Sequence, residues 1–236
     1  NIPNDIAMES VTIPMVKDHE DERYCEIEAN KAMLALTLNG GGPAHINMYT
    51  RYSHDFSVEE LPHANAIYRH TVFEKKWPEI PQGRVVVRIG AHANFSGELT
   101  KAVDDFCATY DAVVCCDHTS GYRGKYEVHA QLVCGQKQWR SSLAKANLCI
   151  HIGEVSGDAF GVSANHTWRV SPDGALRDNF GNLRRVFMMP EIAFFRHYSK
   201  EGTTLSKYLE ELNKEVSFVK EKLPELPFSN IWIAQH

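Results

Sequence analysis

The chain predicts an α/β fold, a parallel sheet with helices on both faces, and three observations carry that prediction. Val85-Val86-Val87-Arg88-Ile89, Ala112-Val113-Val114-Cys115-Cys116 and Leu148-Cys149-Ile150-His151-Ile152 are short, nearly continuous apolar runs, the pattern of strands buried on both faces. Between the first two, Leu99, Val103, Phe106, Cys107 and Tyr110 fall on one face of a helix whose cap is Asn94 or Ser96. A crossover of that length joins parallel strands. The same strand-helix-strand order opens the chain: Val11–Val16, a helix from Asp18 to about Leu38, and Ala44–Met48. That first crossover is too small to bury its own faces and reads as the tail of a larger domain.

The remaining elements follow in order. Asp18 caps the first helix, with Glu20, Asp21 and Glu22 against its positive end, and Asn39-Gly40-Gly41-Gly42-Pro43 stops it. From Tyr49 to Pro81 prolines and mixed aromatic and charged residues predict a linker packed along a surface. After Gly121 a Gly/Tyr-rich loop leads to a predicted helix from about Val128 to Ala146. Thr167–Ser171 is the next strand, and Pro172-Asp173-Gly174 predicts a turn that folds Ala175-Leu176-Arg177 back as a hairpin. Arg185–Met189 is a further strand, and Pro190 suits the start of a helix through Tyr198. Thr203 or Thr204 caps a helix striped with Leu205, Tyr208, Leu209, Leu212, Val216 and Val219, and Ser229 caps the start of another. Because Asn1 is not a methionine and a helix is only beginning at His236, the chain reads as part of a longer protein.

Composition excludes several classes. With 43% hydrophobic and 23% charged residues over 236 positions, the chain is an ordinary globular one with ample core. A formal charge of -5 and scattered basic residues give nucleic acid no footing. No apolar run nears the roughly 20 residues needed to cross a bilayer, and no signal peptide opens the chain, so a soluble cytoplasmic protein without a membrane partner is expected. The six cysteines lack C-x-x-C spacing and read as small buried hydrophobes in a reducing compartment.

In open α/β sheets ligands lie beyond the carboxyl ends of the strands. The predicted crevice is therefore Gly90, His92, Asn94, Asp117, His118, Gly153 and Glu154. None of these completes a catalytic motif: Gly153-Glu154-Val155-Ser156-Gly157 is neither a G-x-S-x-G elbow nor a G-x-G-x-x-G loop. The twelve histidines contain no H-E-x-x-H, and only His92 and His118 follow strand ends, His151 lying within its strand. No catalytic residue and no metal ligand is assigned.

Several segments then resemble one family. Gly42-Pro43-Ala44-His45-Ile46-Asn47-Met48 is similar to the segment closing the pyrimidine-binding domain of thiamine-diphosphate enzymes such as acetolactate synthase and pyruvate decarboxylase. Arg84–Gly90, Ala112–Asp117 and Leu148–Gly153 resemble their central Rossmann-like domain, and Pro227-Phe228-Ser229-Asn230 the first helix of their diphosphate-binding domain. The whole pattern comes nearest to the menaquinone-pathway branch. The resemblance implies residues 1–50 as the end of a pyrimidine-binding domain, 51–82 as linker, 83–223 as the central domain and 224–236 as the start of a diphosphate-binding domain. In such enzymes, transferases or lyases acting on 2-oxo acids, the cofactor stores the carbanion left by decarboxylation. The resemblance places the activating glutamate before Asn1 and the Gly-Asp-Gly magnesium motif after His236, and this sequence holds no Gly-Asp-Gly. It thus implies thiamine diphosphate and magnesium in a parent protein, none in this stretch, and inactivity of the stretch alone. FAD is not expected, for want of a dinucleotide loop. The partners implied are the remaining pyrimidine- and diphosphate-binding domains and a homo-oligomer, dimer or tetramer. The alternative is a nucleotide- or effector-binding regulatory module.

Overall fold

The structure is a computed structural model describing residues 6–60, 63–135, 140–154, 161–200 and 206–235. In chain order its elements are β1 (Glu9–Ile13), α1 (His19–Ala35), β2 (Ala44–Met48), β3 (Tyr68–Thr71), β4 (Val85–Ile89), α2 (Gly97–Tyr110) and β5 (Val113–Cys116). There follow α3 (Gln131–Cys134), β6 (Lys145–Ile152), β7 (Ser163–Ser171), β8 (Leu183–Met188), α4 (Glu191–Tyr198), α5 (Lys207–Glu221) and α6 (Asn230–Gln235). β1 and β2 pair in parallel as one sheet, and a second, all-parallel sheet runs β3-β8-β7-β6-β4-β5, a Rossmann-like α/β arrangement. Two compact units divide the chain: Asn1–Ile80, Ile150–Ile152 and His166–Phe194 form the first, and Pro81–Cys149, Gly153–Asn165 and Phe195–His236 the second.

In the first unit the predicted crossover is present. Asp18 caps α1, its carboxylate accepting from Glu20 N at 3.0 Å and Asp21 N at 2.9 Å. One side of α1 buries Ala32 and Ala35, while Ile27 and Leu34 pack against Ile67, Leu176, Leu183 and Val186. Asn30 stitches the segment before β3 to the helix. Its amide accepts from Ile67 N at 2.7 Å and donates to Asn65 O at 2.9 Å, satisfying main-chain groups as a neighbouring strand would.

β3 lies inside the stretch read as linker and was not predicted. Tyr-Arg-His-Thr has no apolar alternation, and what makes it a strand is its neighbour in space. Arg185, paired in register with both Tyr68 and Trp168, holds its guanidinium 5.4 Å and 5.6 Å from their ring centroids. His70 stacks on its register partner Phe187 at 4.9 Å. Arg185 donates to His70 Nε2 at 2.9 Å, which leaves Nδ1 to donate to Glu74 at 2.8 Å.

The turn at Pro172-Asp173-Gly174 forms, with Gly174 at φ 61 and its N–H bonded to Ser171 O at 3.2 Å. The predicted hairpin does not. Ala175–Arg177 is not a strand, because Leu176 is drawn into the core cluster and the Asp178 carboxylate gathers the N–H groups of Gly181, Asn182 and Leu183. The chain then enters β8 parallel to β7. Asp173 holds the turn. Burial opposes its ionisation, but hydrogen bonds from Ser171, Arg177 and Ala175 outweigh it and bring the carboxyl to about 2. A folded-state value below the unfolded one contributes stability that is full above about pH 4 and is lost as pH falls towards 2. Asp173 is 47% exposed, so the discounted contribution is on the order of 1 kcal/mol. Asp173→Asn should lower stability at neutral pH by that amount and converge with the parent near pH 2, which urea titrations across the acid range would show.

In the second unit β4 is buried along its length. Val86, Val113 and Cys115 face a cluster with Val128, Leu143, Tyr208 and Leu212, while Val87, Ile89, Val114 and Cys116, on the other side of the pleat, are at most 3% exposed. Both faces are therefore covered. Ser96, one of the two predicted caps, accepts from Leu99 N at 3.1 Å, and Phe106 on the buried side of α2 meets Phe195 edge-on at 5.3 Å.

The predicted helix over Val128–Ala146 is a correction. Among the described residues of that stretch only Gln131–Cys134 is helical, and Lys145–Ile152 is strand, three residues longer at its start than predicted. Val114 donates to Tyr126 O at 2.8 Å and Val128 donates to Val114 O at 2.9 Å, so the chain entering this stretch lies against the outer edge of β5. Asn147 N, bonded to Arg84 O at 2.8 Å, is already in the sheet.

The caps predicted for α5, Thr203 and Thr204, lie outside the described residues. Ser206 stands at the cap position without a side-chain bond, and Asp111, in left-handed conformation after α2, accepts from Tyr208 N at 3.1 Å. Ser229 accepts from Trp232 N at 3.2 Å, as predicted. Cys107, Cys115, Cys116 and Cys149 are buried thiols and Cys25 and Cys134 half-buried ones. Burial lifts Cys115 to about 12 and Cys116 to about 11, so neither is a nucleophile near neutrality.

Candidate functional site

Strand order locates the place where an open α/β sheet takes ligands. From β4 the chain moves to β5 on one side, whereas from β6 it moves through β7 to β8 on the other, so the reversal falls beside the carboxyl end of β4. The loops that follow, Gly90–Asn94, Asp117–Ser120 and Gly153-Glu154, all belong to the second unit.

Main chain joins these loops. Ala91 N donates to Glu154 O at 2.9 Å, Glu154 N donates to Ala91 O at 3.0 Å, and His92 N donates to Thr119 O at 3.1 Å. The glycines are there for contact. A Cβ on Gly90 would lie 1.7 Å from Glu154 O, and one on Gly153, at φ 75, would lie 2.3 Å from the His92 ring. His92 Nδ1 sits 3.0 Å from Gly90 O, which as an acceptor fixes the proton on Nδ1, and the ring meets Phe95 edge-on at 5.0 Å. Phe95 in turn meets Tyr122 at 5.8 Å. The Tyr122 hydroxyl donates to Asp104 at 2.6 Å, and burial, then that carboxylate, push it far above the usual tyrosine range.

Of the seven predicted residues, Gly90, His92, Gly153 and Glu154 come together. Asp117 is joined through its loop but turned on itself, its carboxylate accepting from Thr119 N at 2.8 Å and Thr119 Oγ1 at 2.6 Å. Asn94 and His118 are exposed. His151 is elsewhere, 2% exposed, its Nδ1 accepting from Arg169 at 3.1 Å in the first unit. Ala91 and Thr119, which belong to the strand-end triplets Gly90-Ala91-His92 and Asp117-His118-Thr119 read from the sequence as lining this edge, complete the cluster together with Phe95, which was not singled out. Phe95 was legible as an aromatic between two caps just past a strand.

The chemistry available is positional. One imidazole with its proton held by a carbonyl, a turn-bound carboxylate and paired main-chain groups can shape a surface. The described residues contain no group of three or more His, Cys, Asp or Glu placed to hold a metal ion. No helix among them is long and apolar enough to cross a membrane.

The first unit carries a concavity of about 280 Å³ between α1 and the start of β8. Its polar walls are spent on the fold: Arg23 pairs with Asp178 at 2.6 Å, Glu26 accepts from Asn65 N at 2.8 Å, and Asn30 is committed to the segment before β3.

No family profile matches the chain. One stretch is 36% identical over 66 residues to the 2-succinyl-5-enolpyruvyl-6-hydroxy-3-cyclohexene-1-carboxylate synthase of Bacteroides thetaiotaomicron, covering 28% of this chain and 12% of that protein. The synthase of the same name from Phocaeicola vulgatus is 33% identical over 75 residues, covering 30% of this chain and 14% of that protein. These matches span a small part of the relatives' length, and they support a link to the thiamine-diphosphate enzymes at the level of a partial likeness.

Proposed function

We propose that this chain is the structural central portion of a cytoplasmic thiamine-diphosphate-dependent transferase or lyase acting on a 2-oxo acid, of the kind represented by the menaquinone-pathway synthases. The observation that carries the reading is the 36% identity over 66 residues. The parallel sheet and the β1-α1-β2 crossover support it, as the two parts the resemblance calls for. On this reading residues 1–50 belong to a pyrimidine-binding domain, 51–82 join it to the central domain of 83–223, and 224–236 begin a diphosphate-binding domain. The coenzyme and magnesium are held by those other domains, in a dimer or tetramer, and the chain's own contribution is to space them. No catalytic step is assigned to its own residues.

The purified 236-residue chain should fold and release no carbon dioxide from 2-oxoglutarate or pyruvate in the presence of thiamine diphosphate and magnesium. Turnover above that of a buffer blank would sink the scaffold reading. A thermal-shift panel of NAD, FAD, ADP and CoA tests the rival reading, in which Gly90, His92, Asn94, Asp117, His118, Gly153 and Glu154 bind a nucleotide or effector. Ligand at a hundred times its Kd would add about 2.7 kcal/mol, an easily seen rise in Tm.

A further inference from the structure

Asn39-Gly40 and Asp173-Gly174 are the chain's only Asn-Gly and Asp-Gly pairs. Both carry the same latent reaction, attack of the glycine main-chain nitrogen on the side-chain carbonyl carbon before it, favoured because glycine leaves that nitrogen unhindered and mobile. The structure separates them. Asp173 is held by Ser171, by Ala175 N at 3.1 Å and by Arg177 at 2.7 Å. A Cβ at Gly174 would already lie 2.6 Å from Met188, so that backbone has little room to turn.

Asn39 is the opposite case. It is exposed, at φ 50 and ψ 41, in the three-residue 3-10 turn that follows α1, and its side chain makes no hydrogen bond among the described residues. Gly40 is exposed at φ 97, with nothing within 4 Å of where a Cβ would stand. Turns of this kind are held by poor hydrogen bonds and open readily.

We propose that Asn39 is a site of spontaneous deamidation in the folded protein. The Gly40 nitrogen loses its proton to solvent and bonds to Asn39 Cγ, the Cγ–Nδ2 bond breaks, and Nδ2 leaves as ammonia. Water then opens the five-membered imide at either carbonyl, giving aspartate or isoaspartate. The product places a negative charge at the C-terminal end of α1, whose last turn holds no basic residue. Isoaspartate also adds a main-chain methylene five residues before β2. The connection cannot absorb it quietly, since a Cβ at Gly41 would lie 2.4 Å from Leu36 O and the pairing Glu9↔Ala44 fixes the register beyond. The modification loosens the β1-α1-β2 crossover.

The test incubates the full chain in mildly alkaline buffer, folded and in urea, and follows both dipeptides by peptide mapping and by methyl transfer from protein isoaspartate methyltransferase. Asn39 in the folded chain should react within about tenfold of its rate in urea, and Asp173 should fall more than about tenfold below its own. Asn39→Gly, which suits the left-handed backbone, should fold and lose the isoaspartate signal. Reaction of folded Asn39 more than about tenfold slower than in urea would overturn the proposal, as would isoaspartate persisting undiminished in Asn39→Gly.

Discussion

Gly90→Ala should cost about 3 kcal/mol of stability, the sum of an overpacked contact and the weakening of two main-chain hydrogen bonds. The new methyl would lie 1.7 Å from Glu154 O and 2.8 Å from Glu154 C. Those are backbone atoms, so no flexible side chain can swing aside. Glu154 is also held in both directions by Ala91, at 2.9 Å and 3.0 Å, and relief requires separating the loops after β4 and β6. Gly97→Ala is the control. Nothing lies within 4 Å of its Cβ position at the first residue of α2, and alanine there should be neutral or stabilising by up to about 1 kcal/mol. Urea unfolding of the two variants decides the matter: equal midpoints would mean that the Ala91–Glu154 pair does not hold these loops together.

The same contact shows what sequence can and cannot reveal here. The apolar runs of β4, β5 and β6 are legible because burial on both faces is written into Val85-Val86-Val87 and Val113-Val114 themselves. Gly90 and Gly153 are legible as loop glycines, but the reason for them, Glu154 O over one and the His92 ring over the other, exists only in space. β3 is illegible for a related reason: its stability is written in Arg185, Trp168 and Phe187, more than ninety residues downstream. The reading of Val128–Ala146 as helix fails on periodicity. Val128, Ala130, Val133, Leu143 and Ala146 are all buried, and all but Val133 line one core cluster, although among the described residues of this stretch only Gln131–Cys134 is helical. The turn at Asp173 was legible and its continuation was not, because Asp178 redirects the chain through main-chain N–H groups that leave no residue pattern.

Asp178→Ala should be the costliest polar substitution in the first unit, at about 3–5 kcal/mol. The side chain is 6% exposed. One carboxylate oxygen accepts from Gly181 N at 2.9 Å, Asn182 N at 3.0 Å and Leu183 N at 3.1 Å, and the other meets Arg23 at 2.6 Å. Alanine would strand three donors at the entrance to β8 and leave a guanidinium, 30% exposed, facing nothing. Asp178→Asn separates the two contributions, since its carbonyl oxygen can still receive the N–H groups while the charge opposite Arg23 is lost. Its expected cost is about 1–2 kcal/mol. In a cycle with Arg23→Met, the asparagine and methionine changes should couple by more than about 0.5 kcal/mol, as contacting groups do. If Asp178→Ala and Asp178→Asn proved equally costly, the ion pair with Arg23 rather than the gathering of main-chain donors would be what fixes the start of β8, and the account of why Ala175–Arg177 fails to form a hairpin would fall with it.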